Sequence, residues 1–123
     1  MTSSTIESLN TKYAATAAQD IVDLAIRDIF PERIALVSSF GTESAVLLHM
    51  IARAERATPV LFLDTLKHFD ETLAYRDELT DRLGFRRIDL YPEIADLKAR
   101  DESGLRWSYD PDGCCELRKV RPL

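Results

Sequence analysis

The sequence predicts an α/β protein with a parallel sheet and helices on both of its faces. Segments with strand character alternate along the chain with segments whose apolar residues recur at helical spacing. The run Val60–Leu63 is continuously apolar, which is typical of a parallel strand that is covered on both faces. Neither an internal repeat nor a low-complexity tract interrupts the alternation. The strands are therefore expected to be joined by right-handed crossovers.

The composition argues against several kinds of protein. The chain has 123 residues, of which 46% are hydrophobic, so it is one small domain or a part of a larger one. A formal net charge of -5 without a basic stripe argues against nucleic acid as a partner. No apolar run approaches the roughly 20 residues that span a bilayer, and the N-terminus resembles neither a signal peptide nor a transit peptide. We expect a cytoplasmic protein that binds neither nucleic acid nor membrane.

Residues 1–32 are predicted to form a helical segment that serves only for packing. Residues 1 to about 14 are polar and expected to be frayed, and apolar side chains then recur at helical spacing up to Pro31. The first strand is expected at about 33–39, followed by a turn and a helix that reaches about Arg56. Thr42 is the predicted N-cap of this helix.

The rest of the chain continues the alternation in a regular order. The predicted elements are a strand, a helix, a strand and a short helix, at Val60–Leu63, about 69–83, about 86–90 and about 93–101. Gly84 lies where a helix C-cap is expected. The predicted turn Asp110–Gly113 then leads to two adjacent cysteines.

The segment Ser38–Ser44, here called the cradle turn, joins the first strand to its helix and has the composition of an anion site. Backbone N–H groups at the start of a helix are unpaired and lie at the positive end of its dipole. Gly41 permits a close approach of the backbone to a ligand. Four hydroxyl side chains can add hydrogen-bond donors: Ser38, Ser39, Thr42 and Ser44. The spacing matches neither a Walker loop nor GxGxxG, so an ordinary strand-to-helix turn stays the alternative hypothesis.

Asp64 and Thr65 follow the second strand and are expected at the same sheet edge as the cradle turn. Ligands of parallel α/β sheets bind at the carboxyl ends of the strands. Asp64 is expected either to bind a ribose or base or to cap the next turn. Lys67 is expected either to reach an anion or to be solvated.

Cys114 and Cys115 are the two cysteines of the sequence. A disulfide between neighbouring residues would be strained. The pair is therefore expected to ligate a metal or cluster, to act as reactive thiols, or to be small and semi-buried. The cations Arg118 and Lys119 favour the thiolate form that a soft metal or an iron-sulfur cluster needs. A cubane cluster takes four thiolates, so this chain would supply only half of the ligands.

Three motifs occur in order along the chain: VSSFGTESAVLLHM, FLDTLKHFDETLAYRDEL and GCCELRKVRPL. Together they closely resemble the successive motifs of the assimilatory adenylyl-sulfate and phosphoadenylyl-sulfate reductases, within the superfamily of adenine-nucleotide-binding PP-loop proteins. The resemblance runs from about Arg33 to Leu123. It implies a Rossmann-like sheet of the adenine nucleotide alpha hydrolase type, in which residues 33–123 are the N-terminal part of the nucleotide-binding reductase domain.

The resemblance also implies roles for individual residues. The cradle turn looks like the modified PP-loop beside the phosphosulfate of the nucleotide, and its residues are Ser38, Ser39, Phe40, Gly41, Thr42, Glu43 and Ser44. The nucleotide pocket would further be lined by Leu63, Asp64, Thr65 and Lys67. Arg118 and Lys119 match a basic pair whose lysine lies near both substrate and cluster. Cys114 and Cys115 match the first half of the set of four cysteines that binds a four-iron, four-sulfur (4Fe-4S) cluster.

The implied activity is the reduction of adenylyl sulfate to sulfite and AMP, in sulfate assimilation and cysteine biosynthesis, with thioredoxin or glutaredoxin as electron donor. Family members that bear the cysteine pair mainly use adenylyl sulfate, whereas cluster-free members use the 3'-phosphorylated nucleotide. In the family, a cysteine near the C-terminus attacks the sulfur, AMP leaves, and thioredoxin then releases sulfite. The alternatives are a phosphoadenylyl-sulfate reductase, an ATP-using PP-loop enzyme, and a non-catalytic nucleotide- or metal-binding module.

Two departures from the family pattern bear on this expectation. Leu66 replaces the glycine that usually follows the LDT segment. The sequence ends at Leu123, before the family's second cysteine pair and its nucleophilic cysteine tail. We therefore expect an N-terminal fragment with a truncated sheet, without a catalytic residue of its own and without turnover. A sheet of three strands would expose an apolar edge, so we expect the isolated chain to be marginally stable and either prone to aggregation or homo-oligomeric.

Overall fold

Three parallel strands form one sheet in the computed structural model of the protein, which describes residues 2–123. The strands are β1 (Leu36–Val37), β2 (Pro59–Leu63) and β3 (Arg86–Leu90), and their order in the sheet is β1-β2-β3. Leu36 pairs with Val60, and Leu63 pairs with Leu90. The predicted α/β class with a parallel sheet is confirmed.

Helical segments precede, connect and follow the strands. They are α1 (Ser3–Lys12), α2 (Ala18–Leu24), α3 (Ser44–Ala54), α4 (Asp70–Leu83), α5 (Ile94–Arg100), α6 (Arg106–Tyr109) and α7 (Pro111–Cys115). Two π-helical segments, Ala25–Ile29 and Glu116–Val120, directly continue α2 and α7. The longest helix, α4, has 14 residues, and none of the helices formed by residues 2–123 is long and apolar enough to cross a membrane.

The main core lies between α3, α4 and one face of the sheet. Val60 and Phe62 of β2 are fully buried and alternate with less buried neighbours, which is the period of two expected of a strand. Leu48 of α3 and Phe85, just before β3, belong to the same buried cluster. The rings of Phe40 and Phe62 meet edge to face, with centroids 5.5 Å apart. This core is adjacent to the cradle turn, because Phe40 is part of that turn.

The opposite face of the sheet carries the alternate residues of the three strands. Its apolar members are Val37, Leu61, Leu63, Ile88 and Leu90, and Pro59 and Arg86 lie on the same face at the amino ends of β2 and β3. Val37 is 47% exposed, and the other four apolar members are half-buried. Part of this face is therefore open to solvent.

A second, smaller cluster joins the N-terminal helical region to α3. Ile26 packs against Ile51 and Ala54. Arg27 supports this contact, because its Nη2 donates a hydrogen bond to the Ala54 carbonyl at 2.5 Å. The division of the chain at residues 32 and 33 stays a prediction.

The first strand is shorter than predicted. Residues 33–39 were expected to be extended, but only Leu36 and Val37 have strand partners on β2. Ser38 still donates its N–H to the Leu61 carbonyl at 3.0 Å. The prediction was wrong because a strand ends where its partner's ladder ends, and an apolar run does not reveal that point.

The prediction that the N-terminal residues are frayed was also wrong, since Ser3–Lys12 form α1. The Thr2 hydroxyl oxygen accepts the Thr5 N–H at 3.2 Å, which satisfies one of the donors left free at a helix start. The prediction that Gly84 is a helix C-cap, by contrast, is confirmed. Gly84 caps α4 with a φ of 66°, and its N–H bonds to the Thr80 carbonyl.

Two helices begin differently from the prediction. Glu43 rather than Thr42 is the N-cap of α3, because the Thr42 hydroxyl donates to the Glu43 carboxylate at 3.5 Å instead of accepting a backbone N–H. The segment predicted as the turn 110–113 is the start of α7. Asp110 is its N-cap and accepts the Gly113 N–H at 3.1 Å.

Leu48→Ala should lower the free energy of unfolding by about 2–5 kcal/mol, because it removes a fully buried side chain and leaves a cavity. Leu47→Ala on the same helix is the matched control, since Leu47 is 41% exposed, and its cost should stay below about 1 kcal/mol. Urea unfolding followed by circular dichroism measures both. Equal costs at the two positions would contradict the placement of the core.

Candidate functional site

The cradle turn and the residues after β2 lie at the same edge of the sheet. β1 leads into Ser38–Ser44, and β2 leads into Asp64–His68, here called the second turn. Asp64 donates its N–H to the carbonyl of Leu90, the last residue of β3, at 2.9 Å. The sequence predicted that both turns lie at the carboxyl ends of the strands, and the structure shows this placement.

A buried aromatic ring anchors the cradle turn. Phe40 is only 2% exposed and packs against Phe62 and Phe85, although its φ of 57° lies in the left-handed region that bulky residues avoid. The buried hydroxyl oxygen of Ser38 accepts the Phe40 N–H at 3.2 Å. This local bond and the burial of the ring together hold the unusual backbone conformation. The exposed part of the turn is thereby fixed on a rigid base.

The outer part of the cradle turn carries the groups available to a ligand. Ser39, Thr42 and Glu43 are exposed, and Gly41 accepts the Ser44 N–H at 2.9 Å. A Cβ atom at Gly41 would lie 3.0 Å from Glu43 Oε1, so a larger residue would displace the Glu43 side chain. The turn can offer hydroxyl and backbone donors to an anion, but the Glu43 carboxylate adds a negative charge that nearby cations must offset.

Asp64 caps the second turn. It is 7% exposed, its Oδ1 accepts the Leu66 N–H at 2.9 Å, and its Oδ2 lies 3.6 Å from Arg76 Nη1. Of the two expectations for this residue, the structure shows the capping contact. Its contact with a ribose or base stays a prediction, as does the nucleotide-lining role of Leu63 and Thr65.

Leu66 occupies a backbone conformation that suits glycine. Its φ is 64°, and its side chain is 53% exposed. The glycine found here in the resembling family would adopt this φ without the clash that a Cβ causes. The substitution therefore keeps the turn but adds strain to it.

Arg118 and Asp101 form a buried ion pair beneath the second turn. Each is 5% exposed, and Arg118 Nε and Nη2 donate to Asp101 Oδ2 at 3.2 and 2.7 Å. Arg118 Nη1 donates to the Thr65 carbonyl at 2.6 Å, and Asp101 Oδ1 accepts the Arg106 N–H at 3.0 Å. All three guanidinium nitrogens thus have protein partners. The predicted role of Arg118 at the substrate stays untested.

The ionisation of Asp101 is determined by two opposed effects. Burial disfavours the carboxylate, but the hydrogen bonds from Arg118 and from the Arg106 N–H outweigh burial and hold the pKa of Asp101 below its usual value. Sequence analysis placed Asp101 only at the end of a short helix and missed this role. One signal was present, because an acidic residue at a helix C-terminus is unfavourable unless a cation neutralises it.

Lys67 reaches the loop that follows α5. Its Nζ donates to the Gly104 carbonyl at 2.7 Å, which neither of the two sequence-based expectations for this residue included. The loop can accept this contact because Gly104 has a φ of 72° and lacks a side chain, whose Cβ would lie 2.9 Å from Nζ. Lys67 and Lys119 are both exposed, so their ammonium groups are accessible to an anion.

A cavity of about 320 Å³ lies beside the ion pair, with Leu66, Leu97, Asp101, Gly104 and Arg118 among its lining residues. A larger cavity, of about 550 Å³, lies at the amino ends of the strands and contains none of the residues predicted for the site. The smaller cavity is the one that adjoins the second turn, so its position agrees better with the predicted site than that of the larger one.

Cys114 and Cys115 are free thiols on α7, the former half-buried and the latter exposed. Within residues 2–123 no group of three or more His, Cys, Asp or Glu side chains is arranged to hold a metal ion. The adjacent thiols fit half of a four-thiolate shell, so the 4Fe-4S cluster stays a prediction. The Gly113 N–H and then the Arg106 guanidinium lower the pKa of Asp110, the N-cap of this helix.

Comparison with known proteins gives consistent matches. The model of the phosphoadenosine phosphosulfate reductase domain matches residues 33–123. An adenosine 5'-phosphosulfate reductase of Mesorhizobium japonicum is 47% identical over 116 residues, which are 94% of this chain and 46% of that protein. A phosphoadenosine 5'-phosphosulfate reductase of Alkalilimnicola ehrlichii is 34% identical over 121 residues, 96% of this chain and 49% of that one. The chain thus spans about half the length of these curated relatives.

A solved structure has the same fold. The crystal structure of phosphoadenylyl-sulfate reductase from Candida auris, a phosphate complex, superposes with a TM-score of 0.82 and 22% identity. The match covers 99% of this chain and 60% of that one. At this level of identity the likeness shows the fold alone.

Leu66→Gly should raise the free energy of unfolding by about 0.5–1 kcal/mol. It removes about 1–2 kcal/mol of left-handed backbone strain from the folded state, but glycine also increases the entropy of the unfolded chain, which offsets part of that gain. Leu105→Gly is the matched control, since Leu105 is 54% exposed but has a φ of -110°. The control should lose stability in the same urea titration. A loss of similar size in both variants would show that Leu66 is not strained.

The ion pair of Asp101 and Arg118 should make the free energy of unfolding depend on pH in the acid range. The folded pKa lies below the ordinary value of 3.8, so the contribution of Asp101 is complete above that value and is lost as the pH falls through the folded pKa. Asp101→Asn should cost on the order of 3 kcal/mol at pH 7, because it leaves Arg118 buried without its counter-charge. The difference from the native protein should shrink below about pH 4.

Denaturant unfolding at pH values between 3 and 7 measures this difference. Asp81→Asn, at an exposed position of α4, is the control and should stay close to the native stability throughout. A difference between Asp101→Asn and the native protein that stays constant down to pH 3 would contradict the ion pair.

Proposed function

The chain belongs to the phosphoadenosine phosphosulfate reductase domain family, and we propose that its carboxyl-edge site binds adenylyl sulfate as part of an enzyme that reduces this nucleotide to sulfite and AMP. The observation that carries the proposal is the position of the cradle turn and the second turn at the same carboxyl edge of the sheet, within residues 33–123. The relative at 47% identity bears the name adenosine 5'-phosphosulfate reductase, which favours the nucleotide without a 3'-phosphate.

In this proposal the cradle turn holds the phosphosulfate. The exposed hydroxyls of Ser39 and Thr42 and the N–H groups at the start of α3 are its donors. Lys67 and Lys119 supply the positive charge that offsets Glu43 and the anionic substrate. The second turn lines the nucleotide pocket mainly through its backbone, because the Asp64 carboxylate is engaged with Leu66 and Arg76.

The reaction requires a nucleophile and two electrons. A cysteine thiolate attacks the sulfur of adenylyl sulfate, the bond from sulfur to the phosphate oxygen breaks, and AMP leaves with that oxygen. The resulting thiosulfonate is reduced by a dithiol protein, thioredoxin or glutaredoxin, which becomes a disulfide as sulfite departs. We assign neither Cys114 nor Cys115 as the nucleophile, and we place the reaction in the cytoplasm. The 123-residue chain alone should then release no sulfite.

Cys114 and Cys115 are the residues that would hold a 4Fe-4S cluster, as two of its four thiolates. Such a cluster, when bound, supplies a charged and redox-active centre. The exposed position of Cys115 and the half-buried position of Cys114 leave the sulfur atoms accessible for ligation.

Three other functions are compared with this one, and a specific observation favours the first of them. The relative at 34% identity is named a phosphoadenosine 5'-phosphosulfate reductase, so the 3'-phosphorylated nucleotide is the second candidate substrate. An ATP-using enzyme or a non-catalytic binding module would use the same sheet edge with a different ligand.

Calorimetric titration of the purified chain with adenylyl sulfate, phosphoadenylyl sulfate and ATP with magnesium tests the proposal. Adenylyl sulfate should bind most tightly. The double variant Ser39→Ala with Thr42→Ala should bind it about tenfold more weakly, since each lost hydrogen bond costs about 0.5–1.5 kcal/mol. Ser8→Ala with Thr11→Ala, at exposed positions of α1, is the matched control and should bind like the native chain.

The outcomes separate the candidate functions. Tighter binding of the 3'-phosphorylated nucleotide would replace the proposed substrate. Binding of ATP with release of pyrophosphate would favour an ATP-using enzyme. If none of the three nucleotides binds, the proposed function is wrong.

A further inference from the structure

Arg118 lies on the same continuous helical stretch as the two cysteines. α7 ends at Cys115, and the π-helical segment Glu116–Val120 follows without a break. Leu117, next to Arg118, is 2% exposed and fixes this stretch against the body of the protein. A movement of the cysteines is therefore accompanied by a movement of Arg118.

Through its guanidinium group, Arg118 joins three parts of the molecule. Its own helix carries the cysteines, Asp101 directly follows α5, and Thr65 belongs to the second turn. Thr65 is 7% exposed, so its carbonyl has little access to water that could replace Arg118. Loss of this bond would leave a nearly buried acceptor unsatisfied, which favours rearrangement of the second turn.

The second turn is poised to respond to such a loss. Next to Thr65, Leu66 has a φ of 64° and relies on one hydrogen bond to Asp64 Oδ1. Lys67 is tied to Gly104, in the same loop that begins at Asp101. Contacts from this loop and from Arg118 thus help to hold the strained part of the turn, beside the contacts of Asp64 with Leu90 and Arg76.

We propose that Asp101 is a positioning residue that couples the cysteine-bearing helix to the second turn through Arg118. Nucleotide binding at the turn then changes the reactivity of Cys114 and Cys115, and modification of the cysteines changes the turn. Because coupling is reciprocal for equilibrium free energies, a modification of the cysteines that changes the turn should also change the affinity of the turn for nucleotide. The nucleotide part of this inference rests on the proposed function, whereas the link between helix and turn rests on the contacts alone.

The first measurement is the rate at which a disulfide reagent, 5,5'-dithiobis(2-nitrobenzoic acid), modifies the cysteines of the full chain, with and without saturating AMP. In the native chain AMP should change this rate at least threefold. In Asp101→Asn the rate without AMP should be higher, and AMP should no longer change it. A purely structural role would lower the melting temperature but leave the response to AMP intact.

Arg118→Lys is the second variant, for the case that Asp101→Asn does not fold. Lysine keeps the charge but cannot bond Asp101 and Thr65 in the same planar geometry, so the response to AMP should also be lost. Asp101→Glu keeps the carboxylate and should restore part of the response. Arg121→Lys is the matched control on the same stretch, because Arg121 is half-exposed and pairs with Asp96 and Glu116, and it should behave like the native chain.

Hydrogen exchange tests the link in the opposite direction and needs no nucleotide. Alkylation of both cysteines with iodoacetamide should speed exchange of the amides of residues 64–67 in the native chain, and this effect should be absent in Arg118→Lys. Unchanged exchange after alkylation would overturn the inference.

The two proposals fail in different ways. If AMP binds but leaves the thiol rate unchanged, the coupling is wrong and the proposed nucleotide site stands. If no nucleotide binds, the proposed function fails, and the exchange experiment alone decides the link between helix and turn.

Discussion

The buried ring of Phe62 is the contact on which both turns of the candidate site depend. On one side it meets Phe40 of the cradle turn, and on the other it stacks against the imidazole of His68, with centroids 4.9 Å apart. Arg76 lies over the same ring, 5.1 Å from its centroid, and reaches Asp64 at the start of the second turn. A single core residue of β2 therefore fixes the relative position of two loops that are distant in sequence.

Around this apolar centre, charge is buried only where it is paired. Arg76 lies near both Asp64 and Asp89, and Arg118 pairs with Asp101. These pairs use arginines whose planar geometry suits several acceptors at once. The exposed lysines at the same edge have no comparable pairing with carboxylates in the described chain, so the site separates cations that hold the structure from cations that a ligand can reach.

Much of the fold follows from sequence because the deciding signals are local. The apolar run of β2 and the glycine after α4 each determine an element in their own neighbourhood. The length of β1 could not be predicted, because it depends on where β2 offers partners. The start of α7 was missed because Asp110 caps it, whereas the tetrapeptide Asp110–Gly113 is equally compatible with an isolated turn.

The position of the candidate site was predictable from sequence, but the ion pair beside it was not. The convergence of two turns follows from the parallel sheet, and the structure shows it. The Asp101–Arg118 pair spans 17 residues and depends on how α5 and the cysteine-bearing stretch pack, which no local pattern reveals. The ligand contacts assigned to individual residues, and the cluster, stay predictions.

The π-helical segment Glu116–Val120 determines how the side chains before it are rotated about the helix axis relative to those after it. A π-helical turn contains one residue more than an α-helical turn, so it behaves as a single-residue insertion in a helix. Removing that residue would rotate the side chains on either side of it by about 100° relative to each other. Cys114 and Asp110 could then keep their places only if Arg118 turned away from Asp101. The number of residues in this stretch, and not only their identity, thus sets which way the cysteines face.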